Sequence, residues 1–464
     1  MTMLAKLEFR PLTGLLLIWL TLCAQGLCPR EAAAQFGGGG MGMFGAVGGI
    51  SIDADGIVRN LDRGALESLA DDRRKALSGD VHNDDLPAEQ GRLRNVSLAR
   101  ITAAVSDPKA VAKPLSSDVL FLGGLERITH VFVDPDGHDI ILAGPADRPV
   151  VDASGTVVGA ANGRPLLQLE DLVLALRAID QARAGGMRCS IDPTPEGIAA
   201  LQTYLAAQRT IGPDPAVIFR GMEEALGPQT VSVGGVPADS RFARVLVAAD
   251  YRMKRIGMGL EPSGIKELPS YLALVPAGAK TAALPRFWLE AEYEPIARDA
   301  DELAWKLSGR RMKCLTESDA FGQGAVQRGQ GREDAAAEKW CAAMTAHYGR
   351  LAAKQPVFAE LENCVDLAVV AALIHGRQLA ARAGLDLGPL LDAAALPLPR
   401  YEVPTQVPTV ATGVRKGTNW VLSASGGIQF QPWQFAAETV TVPAVAALRT
   451  QALAAKPAAR CWWD

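Results

Sequence analysis

The 464-residue chain has little of what usually betrays chemistry. It holds five histidines, His82, His130, His138, His347 and His375, so any zinc site or imidazole-activated nucleophile must draw on these. There is no H-E-x-x-H, no G-x-S-x-G, no phosphate loop ending in G-K-[ST] and no paired C-x-x-C. Their absence removes the common metalloprotease, serine-hydrolase, nucleotide-binding and redox-motif readings, and no motif asks for a cofactor or a metal. Lysine and arginine number 47 against 51 acidic residues, with no clustered basic excess. Phosphate neutralisation needs such an excess, so nucleic acid is not an expected partner. Past the N-terminus no stretch approaches the roughly 18 consecutive apolar residues of a membrane helix, so no transmembrane anchor is expected after signal cleavage. Cysteine is sparse: Cys189, Cys314, Cys341, Cys364 and Cys461 are all that follow the first 34 residues. Five separated thiols are too few and odd in number for a disulfide scaffold, and buried free thiols are the expectation, although export leaves room for one or two bridges. The most tempting pair, Cys341 with Cys364, lies on two helices expected to meet near Pro356. An offset of about 10 Å along an antiparallel hairpin argues against that bridge.

What is present begins with an export pattern. Lys6 and Arg10 precede the apolar run Leu15 to Leu22, and Ala32-Ala33-Ala34 supplies small residues for cleavage. Residues 1–34 read as a signal peptide, which places the mature chain of about 430 residues in the periplasm or outside the cell. Residues 35–49 form a flexible Gly/Met-rich leader.

The remainder reads as α+β, with antiparallel β-hairpins packed against helices. A first unit spans 50–211 and a second 229–333; a helical hairpin (334–384), a Pro-rich connector (387–414) and a closing β-hairpin, short helix and tail (415–464) follow. Three turns share one chemistry, Asp at the start and Gly at the end between β-branched runs: Asp53 to Gly56, Asp134 to Gly137 and Asp152 to Gly155. Hairpins are also expected across Ser308-Gly309, pairing 303–307 with 311–315, and across Ser425-Gly426-Gly427, pairing 420–423 with 428–431. Thr194-Pro195 and Asp239-Ser240 read as helix starts, and Phe242, Val245, Leu246, Ala249, Met253 and Ile256 give the second helix a buried stripe.

Each candidate site has a plainer reading beside it. Asp53/Asp55 and Asp134/Asp136/Asp139 offer oxygen ligands for calcium, but the closing Glu is missing and turn chemistry accounts for them. Ser263-Gly264-Ile265-Lys266 matches S-x-x-K, yet Pro262 and Gly264 spoil the helix that motif needs. Cys364 and His375 share a helix face but stand too far apart along it for one ion, and His347 would have to join them from the neighbouring helix. The densest charged segment, Asp250 to Arg255, carries the i,i+4 pair Asp250/Lys254. With Arg252, Glu261 and Arg286 it makes the candidate ligand-binding cleft, a solvated helix face being the alternative.

Several stretches are familiar together: Phe132-Val133-Asp134-Pro135-Asp136-Gly137 with Ala143-Gly144-Pro145-Ala146, Cys189 to Gly197, Ala249 to Lys254 with Gly257 to Glu261, and Asn419-Trp420-Val421 with Ser423 to Gly427. With them, most of residues 48–435 resembles domain-of-unknown-function family 1598, uncharacterised exported proteins of planctomycete bacteria. That resemblance implies an envelope or secreted location and brings no known activity, cofactor or catalytic residue. The functional expectation is therefore a non-catalytic binding or structural component of the bacterial envelope with an envelope or extracellular protein partner. The alternative is an exported hydrolase with a site near Asp250, Arg252 and Glu261.

Overall fold

Turn chemistry starts the fold. In the computed structural model β1 (Ile50–Ile52) and β2 (Val58–Asn60) pair antiparallel, and the Asp53 carboxylate accepts the N–H groups of Asp55 and Ile57 at 3.1 and 2.9 Å. The described residues are 47–78, 93–107, 115–208, 215–276, 285–318, 320–322, 325–327, 334–412, 424–457 and 460–464. The expected signal peptide and most of the glycine-rich leader lie outside them. All the described residues fall in the unit Gly38–Asp464, and the architecture is α+β.

Two sheets carry most of the strands. β3 (Arg94–Ser97), β4 (His130–Asp134) and β5 (Asp139–Gly144) form the middle of a seven-stranded sheet, with Asp134 opposite Asp139 across the second Asp-to-Gly turn. β6 (Pro149–Val151) and β7 (Val157–Gly159) make the third hairpin as a separate ribbon. β8 (Met187–Asp192), β9 (Gln229–Gly234) and β10 (Pro285–Glu292) belong to a six-stranded sheet, whereas β11 (Ile296–Arg298) and β12 (Ala304–Lys306) extend the seven-stranded one from β4. β13 (Arg311–Ser318) returns to the six-stranded sheet as the partner of β10. β14 (Ala320–Gly322) and β15 (Ala325–Gln327) pair with each other; β16 (Gln406–Val407) edges the six-stranded sheet beside β9. β17 (Ser425–Phe430) occupies the centre of that sheet, parallel to β10 and antiparallel to β8. β18 (Thr439–Thr441) and β19 (Trp462–Trp463) close the two edges of the other sheet. The six-stranded sheet thus interleaves strands from the segments 50–211, 229–333 and 415–464.

Two expected hairpins are corrected. Residues 303–307 and 311–315 do not pair: β12 goes to β4, and β13 goes to β10. The local turn signal at Ser308-Gly309 yields to longer-range pairing, because the apolar faces of the two strands are buried in different sheets. Ser425-Gly426-Gly427 is not a turn but the first half of β17, and residues 420–423 lie outside the described residues. Its glycines answer to crowding: a Cβ on Gly426 would stand 2.0 Å from the Phe287 carbonyl, and one on Gly427 2.0 Å from that of Cys189.

The helices begin where their caps place them. α1 (Leu169–Ala178) is followed by α2 (Pro195–Ala207), with Pro195 in its first turn and Thr194 Oγ1 accepting the Gly197 N–H at 3.0 Å. α3 (Arg241–Gly257) starts with Ser240 Oγ accepting from Ala243 at 3.1 Å, and its apolar stripe is buried as the spacing requires. Asp334 caps α4 (Ala335–Lys354) through the N–H groups of Ala336 and Ala337. α5 (Pro356–Gly376) follows at once and is buried from Val357 to Ile374. The expected single helix over 357–384 is interrupted after Gly376. Gln378 takes a φ of 52°, and α6 (Leu379–Ala383) starts anew. α7 (Ala444–Ala454) closes the set. α5 packs against α1, α3 and α4, and α3 lies on β8 and β17. Among the described residues no helix is long and apolar enough to cross a membrane.

Candidate functional site

A helix buried from Val357 to Ile374 has no place there for bare charge, yet α5 carries Glu360, Glu362 and Asp366 inside the protein. Each meets an arginine. Arg241, at the start of α3, pairs with both Glu360 and Asp171 of α1. Arg164 and Arg311 reach Glu362 at 2.8 and 3.2 Å, and Arg311 also reaches Asp366 at 3.3 Å, which accepts the Tyr293 hydroxyl. Burial works against the charge of Arg241, but the two carboxylates outweigh it and hold the guanidinium firmly cationic. Beside this pair Glu170 accepts the Tyr401 hydroxyl at 3.0 Å; burial, and then the charge of Asp171, push its carboxyl up to about 8. Each carboxylate has a cation or a hydroxyl against it, although Asp171 Oδ1 and Glu360 Oε2 are buried without a hydrogen bond, and losing one partner leaves a buried charge.

The five residues of the expected cleft fall into two groups. Asp250, Lys254 and Arg286 are buried, the first two on α3 and Arg286 on β10 of the six-stranded sheet. Lys254 Nζ donates to Asp250 at 3.0 Å and to the carbonyls of Ile191 and Gly426 at 2.7 and 3.0 Å, so one ammonium ties α3 to both central strands. Arg286 lies 3.7 Å from Asp192, whose carboxylate also accepts the Gly426 N–H. Arg252 and Glu261 stand at the N-terminal hairpin instead. Their bidentate contact is 2.6 and 2.7 Å, Arg255 joins at 2.5 Å, and Asn60 of β2 donates to the same carboxylate at 3.2 Å.

The inner group has one feature of an acid–base site. Burial pushes the Asp250 carboxyl up to about 7, and its Oδ1 is buried with no hydrogen-bond partner. The cavity that reaches Lys254, between Ile191, Tyr251 and Val407, is only about 40 Å³. At about 10–15 Å³ per water, that admits a few water molecules and no organic substrate.

The other motifs resolve into turns and pairs. Ser263 Oγ donates within its own turn, to the carbonyls of Ile265 and Leu268, while Lys266 is exposed. Asp134 and Asp139 already share a cation, Lys456 Nζ at 2.9 and 3.0 Å. Cys364 is buried beside Arg241 and Asp171, and His375 lies at the far end of α5.

That far end opens into a recess of about 1090 Å³. Leu176, Ile374 and Leu391 give it apolar walls, with Trp433 across from them. Trp433 is held by an Nε1–H bond of 2.8 Å to the Ile179 carbonyl, and the Arg183 guanidinium stacks 3.4 Å from its ring centre. His375 Nδ1 is 3.5 Å from Asp180, both half exposed. Sequence reading missed this place because its parts come from α1, the end of α5 and residue 433. The usable signals were the helix stop at Gly376-Arg377 and an isolated Trp after Pro432.

Residues 189–271, from β8 through α3 to Tyr271, match the model of a family described as a protein of unknown function, DUF1598. No curated protein and no solved structure matches the chain.

Proposed function

We propose that the chain is an exported, non-catalytic binding component of the bacterial envelope. Its groove at the end of α5 takes an apolar protein segment that carries a carboxylate. The observation that carries this reading is the groove itself: about 1090 Å³, apolar along Leu176, Ile374 and Leu391, and edged by Arg183, His375 and Arg377. A volume of this order suits a ligand or a protein side-chain cluster. Arg183, His375 and Arg377 line it with Asp386, and Asp180 already pairs with Arg183 and His375 at 2.9 and 3.5 Å, so an incoming carboxylate takes the place that Asp180 holds. Asp250 and Lys254, by contrast, pair with each other, and the cavity that reaches Lys254 is about 40 Å³.

The test is a photo-crosslinking residue at Ala381 of the tagged mature chain, expressed in its own envelope, with mass spectrometry of the adduct. The expected product is one partner attached through an apolar, acidic segment, lost in Leu391→Asp and weakened in His375→Glu. Crosslinking that ignores both substitutions would overturn the reading.

A second reading, hydrolysis at Asp250, is favoured by the raised carboxyl and the unpaired Oδ1. It requires the 40 Å³ cavity to open. Activity on any ester, amide or glycoside that disappears in Asp250→Asn, with the fold intact, would support it.

A further inference from the structure

β13 and α4 are held in register by a side chain. Thr345 Oγ1 accepts the Cys314 N–H at 2.8 Å and lies 3.3 Å from the Cys314 carbonyl, to which it donates. One helical turn back on α4, Cys341 faces the same residue, and the two sulfurs touch at 3.3 Å. Both thiols are buried, each 4% exposed. A disulfide needs its sulfurs about 2.0 Å apart, so closure asks for a shift of little more than 1 Å in two side chains while Thr345 keeps the backbones fixed.

We propose that Cys314 and Cys341 form a disulfide when the chain folds under oxidising conditions, covalently fastening α4 to the edge of the six-stranded sheet. That these conditions are met in the cell rests on the export reading above. The step exchanges bonds without loss. One cysteine thiolate attacks a sulfur of an oxidant disulfide, the second displaces the remaining half, and the oxidant leaves as two thiols that take up the two protons. Burial pushes the Cys314 thiol well up, and contact with Cys341 adds to it, so the exchange belongs to the folding chain, before this part of the core closes. Cys189, Cys364 and Cys461 are buried elsewhere and stay as thiols.

The test is to refold the mature chain with oxidised and reduced glutathione, block thiols under denaturing conditions and map the peptides. The expected map links the Cys314 and Cys341 peptides, about 2 Da lighter than their sum, with the other three cysteines alkylated. Reductant should then lower the melting temperature of this protein by several degrees and leave that of C314A/C341A unmoved. Five alkylated cysteines, Cys341 joined to Cys364, or an equal reductant effect on the double variant would overturn the pairing. The same map on chain recovered from cells tests export separately: a refolded chain that is linked and a cellular chain that is not would count against export, not against the pairing.

Discussion

The two ends of α5 solve opposite problems. Its middle is surrounded by protein and carries three carboxylates, each answered by an arginine from another element. Its C-terminal end is open, and there the polar groups, His375, Arg377 and Arg183, face a recess instead of a core. Charge inside the protein fixes how α1, α3 and α5 sit together. Charge at the rim pairs in partly exposed contacts, Arg183 and His375 with Asp180 and Arg377 with Glu302, and stays within reach of solvent. A rich set of ionisable residues is therefore no guide to a site until burial is known.

This contrast can be broken by substitution. The largest expected effect is at Arg241. Arg241→Ala strands Asp171 and Glu360 in the core and should cost about 3–5 kcal/mol in urea unfolding, or prevent folding outright. A loss near zero would mean that the inner charges are not structural at all. Asp250→Ala should follow, at about 3 kcal/mol, since it leaves the Lys254 ammonium buried with only two carbonyl acceptors. A stable variant that loses an activity would instead move Asp250 to the functional side of the comparison.

The next effect is a pH dependence. In the native state Glu170 and Asp250 keep their protons up to about 8 and about 7, well above their ordinary range near 4. The stability they contribute is complete below that range and is lost as pH rises through those values. Burial pushes His130 down to about 4 from 6.5, and its contribution runs the other way, lost as pH falls below 6.5. The clean window is therefore pH 6.5 to 8, where stability should fall by of order 1 kcal/mol per unit. Glu170→Gln should flatten that slope in urea titrations; an unchanged slope would remove Glu170 as its cause. The smallest stability effect belongs to the groove. Leu391 is 45% exposed, so Leu391→Asp should change unfolding by less than about 0.5 kcal/mol while abolishing crosslinking from Ala381. A large destabilisation there would erase the distinction between the two ends.

Local chemistry was legible in the sequence, and long-range chemistry was not. Thr194-Pro195, Ser240 and the three Asp-to-Gly turns act within a few residues, and each is found in its expected role. The same reading erred at Ser308-Gly309 and at Gly426-Gly427, where a turn signal is outweighed by strands far away in the chain. Gly426 is required by the carbonyl of Phe287, a neighbour no local window contains. The candidate site divides in the same way. The pair Asp250/Lys254 was visible as an i,i+4 spacing, but its burial depended on β8 and β17 covering it. The groove has no local spacing at all, since Arg183, His375 and Trp433 converge only in the fold.

The position of β17 also sets a timetable. Gly427 sits between Trp288 on one side and Ser190 on the other, so two strands made much earlier wait on a third to join them. Loop closure over such separations is slow, and the middle of this sheet is among the last parts to form. Until residues 425–430 arrive, β8 and β10 present unsatisfied backbone edges, and Lys254 lacks one of its carbonyls. A ribosome-bound nascent chain stopped before residue 425 should therefore remain open to protease across both strands, while the completed chain resists.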